Sequence, residues 1–130
     1  MTDTNRPPEP LELVRAFCAE WADLDLDRVM DYFTDDAVYH NIPIDPAVGR
    51  EAIRAFIEGF LGQFGGIVFN VRHIVADGNV VMTERVDVFQ LPNGLLELPV
   101  MGTFEVVGGK IAAWRDYFDM GQFMAALNPS

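Results

Sequence analysis

The hydrophobic pattern of this chain changes period at Gly65-Gly66, and that change limits what it can fold into. Before the two glycines, Ile53, Phe56, Ile57, Phe60, Leu61 and Phe64 recur at steps of three and four, the spacing of one helix face, and Gly65-Gly66 ends the helix. After them the period is two. Ile67 to Val75, Val80 to Gln90, Leu95 to Val107 and Lys110 to Phe118 alternate as strands do. The turns Asp77-Gly78-Asn79, Pro92-Asn93-Gly94 and Gly108-Gly109 divide them, which is the signature of an antiparallel meander.

Helical signals come first. Leu13, Val14, Phe17, Cys18 and Trp21 predict one helix, and Asp25 caps a short second helix with Val29, Met30 and Phe33 inside. Ala37 to Asn41 reads as a short strand, Gly49-Arg50 leads into the clearest helix, and Gln122 to Leu127 predicts a terminal one. This order gives an α+β fold: a strongly curved mixed or antiparallel sheet with the N-terminal helices on its concave face, forming a conical apolar pocket. Residues 1–10, polar and proline-rich, read as a flexible leader, and residues 11–130 as a single domain.

Half of the 130 residues are hydrophobic, enough for one real core. The net charge of -11 repels phosphate backbones and anionic lipid, so nucleic acid and membrane are not expected partners, and anionic substrates are disfavoured. No run is long enough to span a bilayer and no basic start precedes an apolar stretch, which makes cytoplasmic localisation the expectation. Cys18, the single cysteine, sits among apolar residues and reads as an inert buried thiol. Asp23, Asp25 and Asp27 lack the rest of a calcium loop, and His40 and His73 lack ligand spacing, so no metal is expected.

Strand parity isolates a polar set. On Val80 to Gln90, Val81, Thr83, Arg85, Asp87 and Phe89 share one side. On the last strand, Trp114, Asp116 and Phe118 share a side with Ala112 behind them. A carboxylate between two large aromatics is costly to bury unless it is paired, and Arg85 can bridge Asp87 and Asp116 with its planar fork of donors. The plain alternatives are a surface ion pair or a core ion network without chemistry. Tyr39 and Asn41, two apart on another strand, can hold a water beside a carboxylate; otherwise they cap a proline-rich loop. The opposite parity, with Val80, Met82, Val86 and Val88, is apolar too, and a homodimer would cover it.

Tyr39-x-Asn41, Glu84-Arg85-Val86-Asp87 and Trp114-Arg115-Asp116-Tyr117-Phe118-Asp119, in that order, resemble the motifs of the limonene-1,2-epoxide hydrolase family. Gly102 and the Gly108-Gly109-Lys110 turn fit the same pattern, and the likeness runs from the first helix to Phe123. It implies the cone-shaped fold shared with ketosteroid isomerase and nuclear transport factor two. It also implies a homodimer and hydrolysis of a neutral, cyclic or terpene-like epoxide to a vicinal diol, with water as partner and no cofactor. Carried over, Asp116 is the general base, Tyr39 and Asn41 hold the water, Asp87 is the general acid and Arg85 orients both aspartates. Parity then offers Phe89, Leu98, Val100, Trp114, Phe118 and Phe123 as apolar walls. Trp21 and Phe89 are bulkier than the family pattern and bear on substrate size. A ketosteroid-isomerase-like isomerase, a polyketide cyclase or a non-catalytic small-molecule-binding module could use the same cone, but such sites need no arginine between two aspartates.

Overall fold

Proline at the first turn starts α1 (Pro10–Glu20), where its missing N–H costs nothing. The computed structural model describes residues 8–127, so most of the expected leader, and residues 128–130, lie outside the described residues. Leu13, Val14, Phe17 and Cys18 of α1 are buried against the sheet. A single 3₁₀ turn (Trp21–Asp23) follows, and then α2 (Leu26–Met30), whose first N–H groups donate to the Asp25 carboxylate, as its capping role requires.

The next strand begins earlier than the sequence suggests. Phe33, expected on the inner side of α2, instead opens β1 (Phe33–Asn41), because α2 stops at Met30 after five residues. A two-residue strand β2 (Ala47–Val48), not foreseen, pairs with β1. Gly49 then turns the chain at φ +90°, a conformation glycine adopts without penalty, and its N–H donates to the Ala37 carbonyl at 2.7 Å. It leads into α3 (Arg50–Leu61), which ends at a Gly62 cap; Phe64 and Gly65 lie in the turn beyond. Ile53 and Ile57 bury fully, whereas Phe56 and Phe60 are half-buried, because that part of the stripe faces a cavity.

Strands β3 (Ile67–Asp77), β4 (Val80–Leu91), β5 (Gly94–Val107) and β6 (Lys110–Tyr117) form the expected meander, and α4 (Met120–Leu127) starts two residues before the predicted terminal helix. The Asp119 carboxylate accepts from the Gln122 N–H at 3.2 Å, which caps the first turn of α4, and β6 ends at Tyr117, one residue before the predicted Phe118. Strand order is β2-β1-β6-β5-β4-β3, with β1 parallel to β6 and every other pair antiparallel.

Register shifts bend this sheet. One falls between Val71 and His73 in β3, one near Ala112 opposite Glu105/Val106, and one between Phe33 and Val38. A bulge adds local twist and reverses alternation. So Val75 is exposed instead of continuing the inward row of Ile67 and Phe69, and Ile111 takes the interior place where simple alternation puts Ala112.

The concave side holds two apolar clusters. One centres on Phe17, whose ring meets Trp21, Tyr32, Phe33, Phe104 and Trp114 edge-on at 5.0–6.0 Å. The other joins Ile67, Phe89, Leu96, Leu98, Val100 and Phe123 near the opposite end. Among the described residues no helix is long and apolar enough to cross a membrane. Phe17→Ala should cost about 3–5 kcal/mol, a large part of the roughly 5–15 kcal/mol that stabilises a domain. Urea unfolding should show a markedly lower midpoint with an unchanged slope.

Candidate active site

The sheet register gathers the polar residues. Across four strands, Asn41 lies beside Asp116, Asp116 beside Gly102, and Gly102 beside Thr83. One row away, Tyr39 pairs with Trp114 and Trp114 with Phe104. The parallel pairing of β1 with β6 therefore sets the phenol and the amide next to the last strand's carboxylate.

Arg85 is buried with both aspartates around it. Its Nε donates to Asp87 Oδ1 at 3.0 Å and its Nη2 to Asp87 Oδ2 at 2.9 Å. The same Nη2 donates to Asp116 Oδ2 at 2.9 Å, and Nη1 donates to Asp116 Oδ1 at 3.2 Å and to the Thr83 hydroxyl at 3.1 Å. Each nitrogen of the guanidinium is thus engaged, and one of them serves two carboxylates. The guanidinium carbon also lies 4.6 Å from the centre of the Phe69 ring, a cation–π contact.

Burial alone would lower the Arg85 pKa, but the two carboxylates hold it well above the ordinary arginine value, so it stays charged. Burial pushes the Asp87 carboxyl up to about 6, against the pull of Arg85 and with the help of neighbouring Asp116. Burial and then the Asp116 charge raise the Tyr39 phenol above its usual range, so it remains a neutral donor. That phenol donates to Asn41 Oδ1 at 3.3 Å. Burial likewise pushes the Cys18 thiol up to about 12, which leaves it protonated.

A cavity of about 260 Å³ opens between the two apolar clusters, and Tyr39, Asn41, Asp87 and Asp116 reach it. Of the expected walls, Phe89, Leu98, Val100, Phe118 and Phe123 line it. Trp114 does not. It is fully buried behind Tyr39, their rings stacked at 4.0 Å, and its indole N–H donates to Asp116 Oδ1 at 2.7 Å. The aromatic expected as a wall is a hydrogen-bond donor to the site. Trp21, Phe56, Phe60 and Phe69 are lining residues that parity arguments missed. Phe56 and Phe60 were visible only as a helical stripe, which looks alike whether it meets core or cavity.

Thr83 and Gly102 complete the surroundings of the guanidinium. Thr83 donates to the Gly102 carbonyl at 3.4 Å while it accepts from Arg85. A β-carbon on Gly102 would overlap Arg85 Nη1 and lie 2.6 Å from Asp116 Oδ1. Only glycine leaves room for the ion network on this strand.

The conical α+β fold encloses an apolar cavity bordered by two carboxylates, which one buried guanidinium bridges from behind. The model of the limonene-1,2-epoxide hydrolase catalytic domain matches residues 8–128, and the chain belongs to that family. Epoxide hydrolase EphG of Mycobacterium tuberculosis is 33% identical over 114 residues, covering 88% of this chain and 76% of EphG. The structure of an M. tuberculosis LEH-like epoxide hydrolase superposes with a TM-score of 0.81 at 31% identity, covering 93% of this chain and 86% of the other. A hypothetical protein of ketosteroid isomerase-like fold from Catenulispora acidiphila gives 0.79 at 19% identity, over 88% of this chain and 90% of that one, a likeness of fold alone.

Gly102→Ala should displace the guanidinium and cost about 1–3 kcal/mol, the usual range for overpacking. A lowered melting temperature, with ¹⁵N shifts of the Arg85 side chain altered, would be the signature. Wild-type values for both would refute the close approach.

Proposed function

We propose that this chain hydrolyses a neutral, compact epoxide to a vicinal diol in one general acid–base step without a cofactor. The observation that carries the reading is Arg85 Nη2, which lies 2.9 Å from an oxygen of each aspartate while both carboxylates border the cavity. Ligand cavities commonly run from about 300 to 1,000 Å³. A cavity of about 260 Å³ lies just below that range and favours a single ring system over a long chain.

In this mechanism Asp116 is the general base. A water between Asp116, Tyr39 and Asn41 donates one proton to Asp116, and its oxygen attacks an epoxide carbon. The carbon–oxygen bond breaks as Asp87, the general acid, protonates the leaving oxygen. One diol forms, and the site's proton has moved from Asp87 to Asp116 without change of net charge; its return resets the site. Neither proton transfer works alone, since an alkoxide leaves poorly and water attacks poorly. Each positioned transfer typically contributes about 10²–10⁴-fold. Arg85 keeps the pair from holding two uncompensated charges in an apolar place. The walls exclude bulk solvent, so the held water is the nucleophile.

Cyclohexene oxide and limonene oxide, with diol measured by gas chromatography, test the reading. Wild type should form diol, and Asp87→Asn and Asp116→Asn should each lose at least 10²-fold in kcat/KM. Under single turnover in ¹⁸O water, label should enter the first diol, whereas a covalent ester would delay it. Because Asp87 must carry a proton, kcat/KM should fall as pH rises through about 6. Rising activity across that range, or full turnover in both variants, overturns the roles.

The reading includes a homodimer through the convex face. Val68, Met82, Met101 and Tyr117 are exposed there, and Met101 lies between Glu84 and Tyr117 in the register. Light scattering should give twice the chain mass, and Met101→Glu should return the chain mass. A monomeric wild type sinks this part alone.

A further inference from the structure

The two aspartates stand in nearly the same relation to Arg85, and something must decide which one holds the proton. Each takes two hydrogen bonds from the guanidinium: Asp87 from Nε and Nη2, Asp116 from Nη1 and Nη2. Both are buried to the same degree, at 4% exposure. The guanidinium alone cannot distinguish them.

The asymmetry comes from Trp114. Its indole N–H adds a third hydrogen bond to Asp116, at 2.7 Å the shortest in the network, and among the described residues no third donor reaches Asp87. Indole N–H can donate but never accept. Oδ1 of Asp116 therefore faces two donors, Trp114 Nε1 and Arg85 Nη1, and a proton placed there would point at one of them. The ring cannot turn away. It is fully buried, stacked on Tyr39 at 4.0 Å and on Phe104 at 5.4 Å, with the Phe17 edge at 5.0 Å. Two-residue parity on β6 then aims its N–H along the strand at Asp116.

We propose that Trp114 is a positioning residue whose indole N–H keeps Asp116 ionised and so leaves the shared proton on Asp87. A hydrogen bond to the charged form of a carboxyl favours that form. The inference rests on the reading in which Asp116 is the base and Asp87 the acid, and it supplies the physical cause of that division. The other titratable groups facing the pair are Arg85 on β4, Tyr39 on β1 and Cys18 on α1. Burial keeps the last two neutral, so neither competes for the proton. Burial raises Asp87 to about 6, so it holds a proton below that pH more readily than an ordinary carboxyl does.

Two measurements decide it. The chain has two tryptophans, so an indole ¹⁵N–¹H spectrum holds two signals. Trp21 Nε1 is buried without a hydrogen-bond partner among the described residues and is the internal reference. The Trp114 proton should lie downfield of it near neutral pH and move upfield in Asp116→Asn, while Trp21 stays. Trp114→Phe keeps the stacked ring and removes the donor. The acid limb of its kcat/KM profile on cyclohexene oxide should move upward by about one pH unit, the shift for one lost hydrogen bond of ordinary strength. That is about a tenfold loss on the acid side and little loss above it.

A uniform loss at every pH with the limb unmoved would mean that Trp114 only packs, and would overturn the inference. So would an indole signal indifferent to Asp116→Asn. Should Trp114→Phe fail to fold, 5-fluorotryptophan in the wild-type sequence strengthens the donor and should move the limb downward; an unmoved limb refutes the inference. If wild type opens no epoxide, the functional reading fails, and the indole spectrum still decides whether the donor follows the charge on Asp116.

Discussion

Every feature of the site follows from one buried guanidinium placed between two carboxylates at the edge of an apolar cavity. Isolated, any of the three charges would be expelled from such a place or neutralised there. Together they are tolerated because the donors of Arg85 are all taken, by Asp87, Asp116 and Thr83, with the Phe69 ring against its face. The demand then passes to the backbone. Two strands carry the charged residues and a third, β5, separates them in the sheet. Arg85 and Asp116 can meet over β5 only because Gly102 has no side chain to stand between them. A residue that does no chemistry thus sets whether the charged pair can form.

Much of this arrangement was readable in the chain. Alternation on Val81 to Phe89 placed Arg85 and Asp87 together because a strand's side-chain period is two and tolerates no ambiguity of face. The same rule placed Trp114 with Asp116. What alternation could not supply was the inserted residue near Ala112, since a bulge leaves no mark in a run of small and apolar residues. The parallel pairing of β1 with β6 was equally hidden, because it joins segments more than seventy residues apart. That pairing decides where Tyr39 and Asn41 go.

Trp114 shows a different limit. From the sequence it is a large aromatic beside a carboxylate, and a wall is the natural reading. Its role depends on which edge of the ring meets Asp116, and ring orientation is set by the stack of Tyr39, Phe104 and Phe17. Those contacts bring four elements together. No local pattern encodes them.

The cavity has walls of two kinds. The end with the charges is made by the sheet, locked in a hydrogen-bonded ladder where each residue answers to its neighbours. Elsewhere Met120, Phe123, Met124 and Leu127 of α4 close the side, on a helix of eight residues at the end of the described chain. The hydrogen bonds of Arg85 go to residues of β4 and β6 and not to this helix. Cavity shape on the α4 side is therefore separable from the charged end, which the sheet's ladder holds in place.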